Sequence, residues 1–413
     1  MNPGLDKLQQ YPFERLNALK AGIEPPPLSP IVMAIGEPKH EAPAFVLETL
    51  RNSLGGLSIY PLTAGTPELR EAIAAWLSVR FHLGDKIKPS HVLPVNGTRE
   101  ALFAVAQCFA PGPKHRGAPA APPPPVLMPN PFYQIYEGAA LLCGARPYYI
   151  DIDEKSGLPR YEDVPEAVWQ ECTLLYVCTP GNPTGAVMPL KLLGELVKKA
   201  LQYNFIIASD ECYSELYFDE TAPPAGILQA ALEVGNDAFE NCLAFHSLSK
   251  RSSLPGMRSG FVAGNTALIE TFRLYRTYQG GAMPPPIQTA SIAAWRDEAH
   301  VQANRALYRR KFQDTEAILA EVLPVTIPAG GFYYWLKTPG DDKEFALELY
   351  RHANVTVLPG SYLARESMRD QTHSPGRGYV RMALVAGEQE CLEAAKRTRD
   401  FVQEFYGARL AEA

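Results

Sequence analysis

The run His246-Ser247-Leu248-Ser249-Lys250-Arg251-Ser252-Ser253-Leu254-Pro255-Gly256-Met257-Arg258-Ser259-Gly260 carries hydroxyls, a lysine and, eight positions beyond it, an arginine. It lies between two apolar runs, 242–245 and 261–264, that read as buried strands. Hydroxyls and a guanidinium together suit a phosphate group. A lysine beside such a site can form a Schiff base with an aldehyde cofactor. A plain polar loop would carry the same residues, so the reading rests on what accompanies the run.

The company stands at the ends of other apolar runs. Val92-Leu93-Pro94-Val95 leads into Asn96-Gly97-Thr98-Arg99-Glu100 and a helix expected at 101–109. A strand, a glycine turn and a helix N-terminus offer free N–H groups to an anion, here Gly97 and Thr98. Residues 126–128 end at Asn130-Pro131-Phe132-Tyr133, residues 173–178 at Pro180-Gly181-Asn182, and residues 205–209 at Asp210-Glu211-Cys212-Tyr213. Between the last two strands, a helix at 190–203 places Leu192, Leu193, Leu196, Val197, Ala200 and Leu201 on one face. Apolar strands alternating with amphipathic helices indicate an α/β fold, a mostly parallel sheet with both faces covered. Ligands of such sheets bind at the C-terminal strand ends, where these residues fall.

The elements around this core are more varied. Residues 31–35 read as a short strand ending at Gly36-Glu37-Pro38. Thr66 reads as an N-cap with Pro67 at the first helical position. From about residue 291 one long helical stretch to 322 leads to a second region. Strands are expected there at 325–327, 332–336, 355–358 and 379–384, with helices at 343–352 and 388–405, which suggests a smaller α+β domain. Residues 111–125 are rich in Pro and Ala and read as a surface excursion.

The 413 residues suffice for two domains, and the net charge of −6 gives no basic face for nucleic acid or anionic membrane. No apolar run is long enough to span a bilayer. Seven cysteines without C-x-x-C spacing suggest reduced thiols in a cytoplasmic protein and no metal site. Cys212 reads as a small core residue.

The lysine run resembles that of the class I/II aminotransferases, the fold-type I pyridoxal-phosphate enzymes, whose pattern is S-x-S-K followed by G-x-R-x-G. The resemblance extends over nearly the whole chain, in order. It implies an aspartate aminotransferase-like fold: a large domain with a seven-stranded sheet at 46–290, and a small domain from 1–45 and 291–413. It implies that Lys250 carries pyridoxal 5'-phosphate and that Ser247, Ser249, Arg258, Gly97 and Thr98 hold its phosphate. Tyr133 stacks on the ring, Asp210 partners the pyridine nitrogen, and Asn182 and Tyr213 face the phenolic oxygen. Lys250, Asp210 and Tyr213 form the catalytic set. Gly36, Asn182 and Arg381 receive the substrate carboxylate. In Y-x-x-x-x-G-x-x-x-L-R, Tyr60 reaches the cofactor of a neighbouring subunit, which implies a homodimer with shared sites.

Longer runs, among them Tyr11-Pro12-Phe13-Glu14-Arg15-Leu16 and Asn130-Pro131-Phe132-Tyr133-Gln134-Ile135-Tyr136-Glu137, are similar to the proteobacterial succinyldiaminopimelate aminotransferases of lysine biosynthesis. That resemblance implies amino transfer between N-succinyl-LL-2,6-diaminopimelate and 2-oxoglutarate. Lys39, Arg99, Arg276 and Gln279 stand as equal candidates for the far carboxylate. A broad aspartate-, aromatic- or kynurenine-type aminotransferase, or a pyridoxal-phosphate C–S lyase, would use the same cofactor residues. A non-catalytic effector-sensing domain would carry an added helix-turn-helix and basic charge; this chain is acidic and starts directly with the aminotransferase-like segment.

Overall fold

The computed structural model describes residues 2–112 and 121–407. Most of the proline-rich excursion expected at 111–125 therefore lies outside the described residues. Strand β1 (Ile31–Val32) belongs to a small second sheet. The large sheet takes β2 (Val92–Val95), β3 (Pro125–Asn130), β4 (Arg146–Asp151), β5 (Leu174–Cys178), β6 (Ile206–Asp210), β7 (Cys242–Ser247) and β8 (Gly260–Gly264). Their order is β2-β8-β7-β6-β5-β3-β4. β8 pairs antiparallel with both its neighbours, and every other pairing is parallel.

Period-2 geometry divides each central strand between two cores. Leu127, Leu175, Val177, Ile207, Cys242 and Ala244 pack on one face with helices Pro67–Arg80, Leu190–Tyr203 and Pro285–Arg296. Val126, Met128, Leu174, Tyr176, Ala208, Leu243 and Phe245 pack on the other with helix Thr98–Phe109. Both faces are apolar, so these strands read as continuous apolar runs rather than as alternation. The Leu190–Tyr203 helix ends at Asn204 in the left-handed conformation (φ 58°), which turns the chain into β6. Thr66 accepts from the Leu69 N–H and caps its helix, as its sequence indicates.

The second region corrects several expectations. The stretch expected as one helix over 291–322 is two, Pro285–Arg296 and Ala299–Leu319. Asp297 is extended, and its Oδ1 accepts from the His300 N–H at 3.0 Å, so a side chain competes with the helix ladder and starts a new helix. Residues 325–327 form no strand; Pro324 and Pro328 flank them and remove ladder donors. The strand expected at 355–358 divides between two sheets: β10 (Val355–Thr356) pairs parallel with β1, whereas β11 (Leu358–Pro359) pairs antiparallel with β12 (Tyr379–Ala383). β12 also pairs with β9 (Tyr333–Lys337). The strand expected at 31–35 is confined to two residues, although the Met33 carbonyl still accepts from Ala383 at 2.7 Å. The closing α-helix stops at Phe401 and continues as a π-turn, Val402–Tyr406. This region has its own core around Phe312, Phe345, Leu349, Val380 and Met382.

No helix among the described residues is long and apolar enough to cross a membrane. All seven cysteines are free thiols, and among the described residues no cluster could ligate a metal.

Candidate active site

The parallel strands β2, β3, β5, β6 and β7 deliver their C-terminal ends to one edge of the sheet. The antiparallel β8 brings its beginning, with Arg258, to that same edge. There a cavity of about 500 Å³ is lined by Gly36, Thr98, Tyr133, Asn182, Asp210, Tyr213, Ser247, Ser249, Lys250, Arg258 and Arg381. Gly97 lies directly behind the Arg258 guanidinium. A second cavity of about 530 Å³ lies against the loop 361–377 and contains none of these residues.

Lys250 sits in the single helical turn Leu248–Arg251 that follows β7, and Ser247 caps that turn through the Ser249 N–H at 3.1 Å. Its Nζ donates to the Gly36 carbonyl at 2.9 Å. Burial lowers its pKa to about 8; Cys212 opposes the shift, whereas Arg381 and Arg99 add to it. An amine held there is roughly one-tenth neutral at pH 7, compared with a negligible fraction for a solvated lysine.

Beside the lysine the side chains form an anion cup. Ser247 Oγ donates to Ser249 Oγ at 2.9 Å, leaving the Ser249 proton to point elsewhere. Arg258, held in the left-handed region at φ 50°, donates to the carbonyls of Pro255 (2.9 Å) and Asn96 (3.4 Å). No carboxylate pairs with it among the described residues. Gly97 has φ +83°, and any side chain there would strike the Arg258 guanidinium. Its turn starts helix Thr98–Phe109, whose first N–H groups have no side-chain cap and so are free for an anion. The turn is braced from behind: Glu100 accepts from the Asn96 N–H at 2.9 Å, and its other oxygen pairs with the buried Arg276. Arg276 is therefore a support for the turn and is no candidate for a substrate carboxylate. Lys39 and Gln279 are exposed and do not line the cavity; of the four cationic or amide candidates only Arg99 does. Gly97→Ala should strain the turn by about 1–3 kcal/mol and displace Arg258. The expected result is a cofactor dissociation constant raised ten-fold or more in equilibrium dialysis.

Asp210 is buried at the end of β6. It accepts from Tyr136 Oη at 2.6 Å and from the Cys212 N–H at 3.3 Å, and burial raises its pKa against the lowering effect of those donors. Tyr136 escapes a reading by motif. Its only signal is its position three residues after Tyr133, which puts it on the inward face of the following helix. Tyr133 Oη accepts from Arg99 Nε at 2.7 Å. Tyr213 and Tyr333 join their hydroxyls at 2.9 Å, which links the β6 end to β9 of the three-stranded sheet β11-β12-β9. Cys212 is buried, with its thiol 3.0 Å from Thr98 Oγ1 and its pKa pushed well up by burial, so it is no nucleophile.

Arg381 on β12 is 4% exposed. It donates to Asn182 Oδ1 at 2.9 Å and to the Ala34 carbonyl at 2.8 Å, and its plane lies over the Tyr333 ring. Its Nε has no partner. No acidic side chain pairs with it among the described residues, which rules out the structural ion pair that a strand arginine most often makes. A buried guanidinium without a counter-ion is costly unless an anion joins it. The cavity thus combines a poised amine, an anion cup of hydroxyls and a guanidinium, a buried carboxylate and a second anion site. This donor set fits pyridoxal 5'-phosphate carrying an amino-acid substrate.

Tyr60 does not reach this cavity. It is 98% exposed, near the similarly exposed Leu57, Ile59 and Leu62.

The family model for aminotransferase class I and II matches residues 29–397. The LL-diaminopimelate aminotransferase of Dehalococcoides mccartyi is 31% identical over 90% of this chain and 91% of its own. The 4-dedimethylamino-4-oxo-anhydrotetracycline transaminase OxyQ of Streptomyces rimosus is 32% identical over 95% and 99%. A crystal structure of an aminotransferase from Neisseria meningitidis matches with a TM-score of 0.91 and 46% identity, covering 98% of this chain and all of that one.

Proposed function

The chain belongs to the class I and II aminotransferases, and on that footing we propose that it moves an amino group between N-succinyl-LL-2,6-diaminopimelate and 2-oxoglutarate. The family depends on pyridoxal 5'-phosphate. When bound, that group supplies an aldehyde for the substrate amine and an electron-withdrawing ring that accepts the charge left at Cα.

In this reading Lys250 holds the aldehyde at rest. Displaced by substrate, its amine carries the proton to and from Cα, a task suited to a pKa near neutrality. Asp210 keeps the ring nitrogen protonated, and Tyr136 holds that carboxylate in place. Ser247, Ser249, Arg258 and the Gly97–Thr98 turn grip the phosphate. Asn182 and Tyr213 donate to the phenolic oxygen, and the Tyr133 ring provides the stacking face. Arg381 takes the α-carboxylate, with Asn182 already orienting its guanidinium. The observation that carries the reading is the depressed Lys250 amine between an anion cup and an unpaired buried arginine.

The finer substrate rests on the similarity to a diaminopimelate aminotransferase and on the run similarities given above. OxyQ, at nearly the same identity, acts on a tetracycline precursor by its name, so identity alone does not select the substrate. Arg99 supports an acidic one. Its Nε is occupied by Tyr133, and no carboxylate pairs with it among the described residues, so its two terminal nitrogens can fork a remote carboxylate.

A single-donor half-reaction tests this. The holoenzyme would be mixed with succinyldiaminopimelate, LL-diaminopimelate, glutamate, aspartate, alanine or an aromatic amino acid, and the cofactor spectrum followed. Rapid conversion with succinyldiaminopimelate and glutamate, and a loss of about ten-fold or more in kcat/KM for both in Arg99→Gln but not for alanine, is the expected result. Faster conversion with unsuccinylated LL-diaminopimelate would move the assignment to that substrate, the reading the Dehalococcoides relative favours. Preference for aspartate or aromatic donors would make the chain a general aminotransferase. Pyruvate and ammonia from cystathionine without an acceptor would make it a lyase.

Two further assignments belong to the same reading. The exposed apolar patch around Leu57, Ile59, Tyr60 and Leu62 meets a second copy, bringing Tyr60 to the partner's cup; sedimentation should give twice the 45.4 kDa chain mass. The domain division expected at 291 falls inside helix Pro285–Arg296, whose Ala294 and Trp295 pack in the large-sheet core. We place it at the Asp297–Glu298 break instead.

A further inference from the structure

Lys311 is 3% exposed on helix Ala299–Leu319, and no carboxylate pairs with it among the described residues. Its Nζ lies 2.6 Å from His40 Nε2 and donates to the Leu384 carbonyl at 3.1 Å. His40 Nδ1 is 2.6 Å from Asn304 Oδ1, and Asn304 Nδ2 donates to the carbonyls of Lys250 (3.2 Å) and Arg251 (3.3 Å). The imidazole packs on the Tyr308 ring at 4.4 Å, and the His40 carbonyl accepts from Ser253 Oγ at 2.8 Å.

Hydrogen-bond chemistry fixes the direction of this chain from both ends. Two carbonyls face one end of the Asn304 amide, so that end is the NH₂ and the oxygen faces His40. His40 Nδ1 therefore carries the proton. An ammonium only donates, so Nε2 is the acceptor for Lys311 and the ring is neutral. Burial agrees, holding the His40 pKa down at about 4. Burial lowers the Lys311 pKa to about 8, which still leaves the amine mostly charged at pH 7; the charged groups acting on it are Glu388, Glu390 and Lys39, none of them in hydrogen-bond contact with its amine.

The geometry closes on Lys250. The segment 36–40 touches that residue twice: Gly36 accepts from its Nζ, and His40, through Asn304, holds its main-chain carbonyl. Lys311 anchors the same segment to the second region through Leu384. We propose that Lys311, His40 and Asn304 are positioning residues that hold the Lys250 backbone and the Gly36 carbonyl in one frame. The inference rests on Lys250 being the acting amine. A cation at one end polarises each successive bond toward the Lys250 carbonyl and stiffens it. An amine that must leave one atom and return to another depends on such a frame, because a displacement of about 1 Å can cost on the order of 10² in rate.

The test uses holoenzyme of Lys311→Met, His40→Phe, their double variant and Lys311→Arg. His40→Phe keeps a ring on Tyr308 and removes both hydrogen bonds. With glutamate as donor, each single variant should lose 10- to 100-fold in kcat while KM and cofactor affinity stay within about three-fold. The double variant should lose no more than the worse single, as links of one chain do. Lys311→Arg should recover part of the loss. Unchanged kcat, losses that multiply in the double variant, or a loss wholly explained by cofactor occupancy would overturn the proposal. Should Lys311→Met fail to fold, Asn304→Leu reads the same contact from the other end, under the same criteria. Turnover persisting in Lys250→Ala would sink the lysine assignment itself, whereas Lys250-dependent turnover with normal kcat in these variants sinks only the frame.

Discussion

Lys250→Ala should abolish transamination, lowering kcat by about 10⁴ or more, because in the proposed reading one side chain serves both as cofactor anchor and as proton carrier. The visible band of the lysine-bound cofactor should vanish. The fold should not: at pH 7 the wild-type amine is mostly a buried ammonium, which costs stability, so the apoprotein variant should melt no lower than wild type. The depressed pKa adds a pH test. Only the neutral amine attacks an aldehyde, so the rate of cofactor capture by wild-type apoprotein should rise with pH through about 8 and then level off. An unperturbed lysine would keep rising beyond pH 10. A variant that retains the band, or a capture rate flat from pH 6 to 9, would remove Lys250 from its role.

Asp210→Asn should be the second largest loss. Burial raises the Asp210 pKa in the free chain, and a cationic ring nitrogen opposite it would restore the ionised form. Asparagine keeps the size, and its carbonyl can still accept from Tyr136, but it offers no charge. Leaving one member of a buried ion pair without its partner costs about 3–5 kcal/mol, or on the order of 10²–10⁴ in kcat. Because the lysine and the phosphate cup are untouched, the cofactor should remain bound and its band should persist, shifted in position. Near-normal kcat in Asp210→Asn would mean that the ring nitrogen is not held by this carboxylate. Comparing the two variants separates anchoring from electronic control: the first loses the band, the second keeps it and loses rate.

Residues that act locally were legible in the sequence. Lys250 and Arg258 lie on one short connection between neighbouring strands, and Gly97-Thr98 opens a helix directly after a strand, so spacing alone places each pair. The sheet was legible for a related reason, since strands buried on both faces spell themselves as apolar runs. The misses share a different cause. Nothing in the spacing of Ala34 and Arg381 says that they touch, or that Glu100 occupies Arg276. His40 is 264 positions from Asn304 and 271 from Lys311, which share one helix, and each alone looks like a surface residue. The helix expected across 291–322 failed at one aspartate whose side chain outcompeted the backbone. The strand expected at 325–327 failed because β-branched residues outweighed their flanking prolines in the reading and not in the chain.

The bond from Arg381 to the Ala34 carbonyl spans 347 positions, and β1 finds its partner only at residues 355–356. A ribosome extending the chain by ~5–20 residues per second exposes Ala34 on the order of tens of seconds before Arg381 exists. The large sheet needs nothing beyond residue 264 for its pairings, and its first strand, β2, waits only for β8. During synthesis the phosphate cup and its lysine can therefore assemble while the N-terminal segment is still unpaired. The first part of the chain to be made is thus among the last to meet its partner strand, and on the proposed assignments every residue of the cofactor grip is synthesised before the arginine for the substrate's α-carboxylate.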